Sequence, residues 1–282
     1  MSDDTKIIRE LTPLLQEMIS GRGYIALAGA HAKGSLDSGS DIDFHIVAEE
    51  PKPYEDRFHL IQSIADEDSK IYVPHSFDES IYGAFSCLSY RGRPIEIQMG
   101  TIATMNNKIA ACLDGNFEIV PQTWTTNGYY TYTVLSELAF LQPLWDPNGI
   151  LAKYKKQVAT YPEKLRTAII KRFWGRASTW IGNFHYESAI ARTDILFTAP
   201  IVLHTILDMV QIIYAYNRVY FDGDKKLETG LSKLPYCPAP LTNHLEFLLC
   251  AKSDSYVLRK QYGFLQDIHD ELANKIIDVL SS

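Results

Sequence analysis

Apolar positions along the first hundred residues change period several times. From Thr5 to Ser20, Ile8, Leu11, Leu14, Leu15 and Met18 recur at helical spacing, and Gly21 ends the run. "YIALAG" (24–29) then reads as a short apolar strand closed by glycine. "DIDFHIV" (41–47) alternates Ile42, Phe44 and Ile46 against Asp41, Asp43 and His45, the signature of a strand with two unlike faces. Pro51 and Pro53 break the chain and a helix is expected over 54–66. "IYVPHS", "AFSCLSY" and "PIEIQMG" read as three further strands, with "RGRP" (91–94) turning between the last two. Beyond residue 100 helical periods dominate, over 101–113, 128–142, 148–158, 163–185, 195–217, 240–251 and 255–280. The pattern predicts an α+β chain: a mixed-sheet domain of four or five strands over 1–118, then a helical bundle over 119–282.

The chemistry concentrates in "GAHAKGSLDSGSDIDFHIV" (29–47). On an extended strand side chains i and i+2 point the same way, so Asp41 and Asp43 share a face. Two carboxylates held close do not both ionise cheaply without a cation. Magnesium suits the place, because it takes one or two carboxylates and completes its shell with water and phosphate oxygens. Gly29, Ala30, Ala32 and Gly34 are small enough for a ligand to approach the backbone, and Lys33 and Ser35 add donors. Glu96, in "PIEIQ", would reach the same spot from a neighbouring strand and supply the third acid that two-metal phosphoryl transfer uses as ligand or base.

"GAHAKGSLDSGSDID" resembles the signature of the nucleotidyltransferase superfamily that includes DNA polymerase beta and the antibiotic adenylyltransferases: Gly-Ser, a spacer, Asp-x-Asp, and a later acidic strand. The resemblance covers residues 24–99 and departs from the pattern at Ala30, where the family usually carries serine. "AIARTDI" (189–195) and "YNRVYFDGDKKL" (216–227) further resemble the helical domain of bacterial proteins related to the aminoglycoside and lincosamide enzymes. The resemblance implies Mg2+-dependent transfer of a nucleoside monophosphate, AMP from ATP or another NTP, to a hydroxyl of a small molecule such as an aminoglycoside- or lincosamide-like antibiotic. It implies two ions on Asp41, Asp43 and Glu96, which are also the catalytic acids. Gly29, Ala30, Lys33, Ser40 and Lys225 would bind the nucleotide, and Asp194, Asn217 and Arg218 the acceptor. Nucleotidylation of a protein or tRNA, and a nucleotide-binding module without turnover, are the alternatives.

Composition narrows this. The 282 residues are 46% hydrophobic and 12% aromatic, enough for a folded core. A net charge of −7 argues against nucleic acid as a partner, since that grip rests on Lys and Arg. The cysteines, Cys87, Cys112, Cys237 and Cys250, are widely spaced and suggest neither a zinc site nor a disulfide framework. "MSDDTKIIREL" lacks the apolar core of a signal peptide, so a cytoplasmic protein without a membrane partner is expected. The most apolar stretch, 195–216, contains Pro200, His204, Asp208 and Gln211 and reads as a core helix. His204, Asp208 and Gln211 form one polar stripe on it, either a buried hydrogen-bonded network or the wall of a cleft.

Overall fold

The structure, a computed structural model, describes residues 3–37, 39–77, 84–122, 125–250 and 252–281. It divides into two compact units, residues 1–112 with 117–160 and residues 113–116 with 161–282.

The first unit is built on β1 (Ile19–Leu27), β2 (Ile42–Pro51), β3 (Ala84–Tyr90), β4 (Arg93–Thr101) and β7 (Gln142–Trp145). They form one five-stranded sheet in the order β3-β4-β2-β1-β7. The β2–β4 pair is parallel and the other neighbours are antiparallel, so the sheet is mixed. One face carries Ile42, Phe44, Ile46, Ile95, Ile97 and Met99 and packs on helix α1 (Asp3–Leu15), through Ile7, Leu11 and Leu15, and on Ile61 of α3 (Tyr54–Ile64). Burying each such side chain contributes about 1.5–3 kcal/mol, which makes this face the main support of the unit. The other face holds the polar half of the alternation, Asp41, Asp43, His45 and Glu96.

Several elements depart from the sequence expectation. Helix α1 gives way to a 3-10 turn at Gln16–Met18, and β1 starts at Ile19 rather than Tyr24. Its register shifts between Ser20 and Gly23, a bulge in which Gly21 takes φ +70°. "IYVPHS" supplies one bridge, Tyr72 to Cys87, instead of a strand. Pro74 offers no N–H to a ladder, and the buried Arg57 takes the carbonyl of His75 at 2.7 Å. The "RGRP" turn is tight, with Arg91 at φ 52° and Gly92 at φ 73°.

The compact unit also runs past residue 118, to Thr160. The expected helix over 128–142 resolves into β6 (Tyr129–Tyr130), paired with β5 (Ile119–Val120), then α5 (Thr133–Phe140), then β7. Strand β7 pairs with β1 and so belongs to the sheet; its Pro143 is tolerated because the strand lies at the edge. Lys155 of α6 (Ile150–Val158) donates to Leu138, Ala139 and Leu141 carbonyls at 3.3, 2.8 and 2.7 Å, satisfying the orphan end of α5.

The second unit is helical. It contains α7 (Glu163–Ser178), α8 (Phe184–Ala191), α9 (Ile195–Asn217), α10 (Leu227–Leu231), α11 (Ala239–Leu249), α12 (Ser255–Lys275) and α13 (Ile277–Leu280). Helix α9 is long and apolar enough to cross a membrane by length and composition, but inside this unit its second half is almost wholly buried. The polar stripe on it divides. His204 is exposed, whereas Asp208 and Gln211 are buried. Arg176 donates to Asp208 at 3.1 Å, yet burial outweighs that partner and pushes the Asp208 carboxyl up to about 6.

Candidate active site

Asp43 and Glu96 face each other because β2 and β4 run parallel in a register that pairs them directly. Asp41 stands one residue before β2 and points to the same face. One ligand oxygen from each of Asp41, Asp43 and Glu96 lies within 4.8 Å of the others, and all three residues are partly exposed. This is the one such acid, thiol or imidazole cluster among the described residues. At that separation, and an effective dielectric of about 20, each ionised pair repels by about 3 kcal/mol, which a bound divalent cation would offset. The donor set is all carboxylate oxygen, as a hard cation requires.

The small-residue turn fits against this cluster. Helix α2 (Gly29–Lys33) begins with Gly29 at φ +55°, and a Cβ there would fall on the Asp43 carboxylate. Glycine is therefore demanded twice, by the backbone conformation and by the close approach. Ala28 N–H donates to the Asp43 carbonyl at 2.8 Å, fixing the start of the turn beside β2. The first-turn N–H groups of Gly29 and Ala30 have no acceptor within the helix. Gln142 on β7 donates to the Ala32 carbonyl at 2.9 Å, and the Lys33 ammonium lies 5.4 Å from the centre of the Phe140 ring. The segment after residue 118 thus braces the turn.

The loop into Asp41 is itself organised. Asp37 accepts from Gly39 N–H at 3.1 Å and from the Ser40 hydroxyl at 3.1 Å, and Asp37 N–H donates to that hydroxyl at 3.0 Å. The Ser40 hydroxyl is thereby engaged in a turn. Two neighbours complete the setting. Cys87, opposite Glu96 across β3–β4, is pushed up by burial and by the charges of Glu96 and Asp41. His45 is buried 3.2 Å from the Tyr24 hydroxyl, and burial, with Lys108 nearby, pushes it down to about 3, so it is neutral at physiological pH.

The remaining residues singled out by the sequence lie in the second unit. Asp194 caps α9, accepting from Phe197 N–H at 3.3 Å. Asn217 donates to the carbonyls of Ile213 and Tyr236, at 2.8 and 2.7 Å, and accepts from Tyr236 N–H at 2.9 Å. Arg218, at φ 55°, pairs with Glu163 at 2.5 Å, and Lys225 is exposed in the loop before α10. Ser178, His269 and Asp270 stand in series at 3.0 and 3.2 Å. Ser178 ends α7, where carbonyls rather than N–H groups are free, and Asp270 of α12 is 78% exposed, so the series is a poor setting for an oxyanion. Sequence reasoning missed Asp4, His31 and Arg93. Arg93 bonds Asp4 and the Ser40 carbonyl, and His31 approaches Asp4 at 3.4 Å. Only the arginine in the "RGRP" turn hinted at this, since its partners are remote in sequence.

Residues 134–245 match a family described as "Domain of unknown function (DUF4037)". No curated protein matches the chain. Among solved structures, the chain is similar to a nucleotidyltransferase-like protein from Exiguobacterium sibiricum 255-15, at 9% identity and a TM-score of 0.48, over 92% of this chain and 72% of that one.

Proposed function

We propose that the first unit is a nucleotidyltransferase that moves a nucleoside monophosphate, AMP from ATP or another NTP, onto a hydroxyl of a small molecule. The observation that carries this reading is the convergence of Asp41, Asp43 and Glu96 beside a turn where only glycine fits. Asp41, Asp43 and Glu96 would hold divalent ions, Mg2+ in the cell. Bound there, such ions supply positive charge against the triphosphate and its departing pyrophosphate. The chain's own part is placement. The N–H groups of Gly29 and Ala30, with Lys33, hold the triphosphate, and Glu96 completes the ligand set or accepts the proton of the attacking hydroxyl. The acceptor oxygen bonds to the α-phosphorus, the bond from that phosphorus to the bridging oxygen breaks, and pyrophosphate leaves. An acidic chain suits a cationic acceptor, the aminoglycoside class among them.

Labelled triphosphates, Mg2+ and a panel of hydroxyl acceptors test this directly. Acceptor-dependent pyrophosphate release should fall at least about a hundredfold in Asp43→Ala, as loss of a charge-stabilising group does; release that survives the substitution rejects the reading. A second reading, nucleotide binding without turnover, is favoured by Ala30, which brings no hydroxyl to the turn. It predicts tight nucleotide binding with no pyrophosphate release from the unaltered protein.

A further inference from the structure

Strand pairing fixes Asp43 against Glu96, but it does not fix Asp41. That residue precedes β2, and its backbone follows wherever the loop from Gly34 delivers it. Arg93, the first residue of β4, spans the gap. Its Nη2 donates to the Ser40 carbonyl at 2.9 Å, on the peptide unit that leads into Asp41. The same Nη2 donates to one Asp4 carboxylate oxygen at 3.1 Å, and the other oxygen lies 2.9 Å from Nε as an ion pair without a hydrogen bond. Asp4 therefore holds the guanidinium by its charge and by one charge-assisted hydrogen bond, while Nη2 also reaches the Ser40 carbonyl. Asp4, in the first turn of α1, is also 3.4 Å from Nε2 of the nearly buried His31 on α2. Asp4 thus holds the start of β4 and, through Arg93, the loop before Asp41, with His31 of α2 close by but not hydrogen-bonded to it.

We propose that Arg93, held by Asp4, is a positioning residue for Asp41, setting the affinity of the acid cluster for a divalent cation by anchoring the Ser40 carbonyl. The inference rests on reading that cluster as an ion site. The competing role is plain docking of α1 on the sheet, and the molecule carries its own control for it. Glu10 of the same helix clamps the same hairpin through Arg91 at 2.9 Å and the Tyr90 hydroxyl at 3.3 Å, and neither partner adjoins a cluster carboxylate.

Mn2+ titration of the full chain, followed by electron paramagnetic resonance of the free ion and paired with melting temperatures, separates the roles. Arg93→Gln should weaken Mn2+ binding by about tenfold, the usual effect of removing a partner just outside a ligand shell. Arg93→Lys, which keeps the charge on a side chain without the planar fork, should recover only part of it. Asp4→Asn should weaken binding less than Arg93→Gln, and the double variant should be no weaker than Arg93→Gln alone, because Asp4 acts through Arg93. Arg91→Gln should leave the affinity within about twofold even where it lowers the melting temperature as much. Unchanged Mn2+ binding in Arg93→Gln, or equal weakening in Arg91→Gln, overturns the proposal while loss of binding in Asp43→Ala keeps the ion site itself. Wild-type affinity in Asp43→Ala overturns both.

Discussion

In the first unit three carboxylates face one another across a strand pair, whereas in the second Asp194, Asn217 and Arg218 are each matched to a structural partner. Asp194 and Asp43 are chemically identical, yet one completes a helix end and the other adds to a charge that neighbouring acids already make costly. Residue type and local motif therefore do not by themselves mark a site. What marks it is three like charges brought by the fold to one spot.

The sharpest way to break this contrast is Gly29→Ala. The new methyl would displace the Asp43 carboxylate at a backbone position with φ +55°, so nucleotide-dependent turnover should fall by a factor of about a hundred or more. Steady-state assays that found near-normal rates would show that the close approach of Gly29 and Asp43 is incidental.

A second test concerns pH, where the first unit should again respond. His45 is held neutral by burial, its folded value about 3 against an ordinary value near 6.5. Below pH 6.5 the unfolded chain binds a proton that the folded chain refuses, so this histidine's contribution to stability declines as pH falls from about 6.5 toward 3. The slope approaches about 1.4 kcal/mol per pH unit over that window. Denaturant titrations of the wild type and His45→Gln should therefore converge at low pH, and curves that stay parallel from pH 7 to 4 would remove His45 from the account.

In the second unit the effect should be smaller and purely structural. Asp194→Ala removes the α9 cap and should cost about 1 kcal/mol in thermal or chemical unfolding, with nucleotide turnover unaltered. A drop in turnover with stability intact would return Asp194 to the acceptor. The mildest change is Ala30→Ser, which adds a hydroxyl to the turn. One added hydrogen bond to a charged phosphate should tighten triphosphate binding by up to about tenfold, measured by competition with a fluorescent nucleotide.

Asp41, Asp43, Gly29 and Glu96 were legible in the sequence because each sits in a pattern that local geometry enforces: alternation on a strand, a glycine at a turn, an acid between isoleucines. So were α3, α4 (Ile102–Leu113), β3 and β4, whose periods are clean. Strand β7 was not, because Pro143 and a four-residue length erase the strand signal and only pairing with β1 creates it. The extension of the first unit to Thr160 goes with that pairing and with α6, whose Tyr154 packs on Tyr24 and bonds Asn106. Asp4 and Arg93 were hidden for the same reason. Their meaning lies in a contact between chain segments far apart in sequence, and each looks like an ordinary surface charge until the sheet brings them together.

The parallel register of β2 and β4 has a final implication. Sliding one strand by a single position would turn Glu96 inward among the isoleucines and swing an apolar side chain toward Asp43. Ile42, Phe44, Ile95 and Ile97, each sealed from solvent on the reverse of the sheet, forbid that slide. The oily underside is in this sense the alignment jig for the acids above it, and the chemistry inherits its accuracy from residues that never meet a substrate.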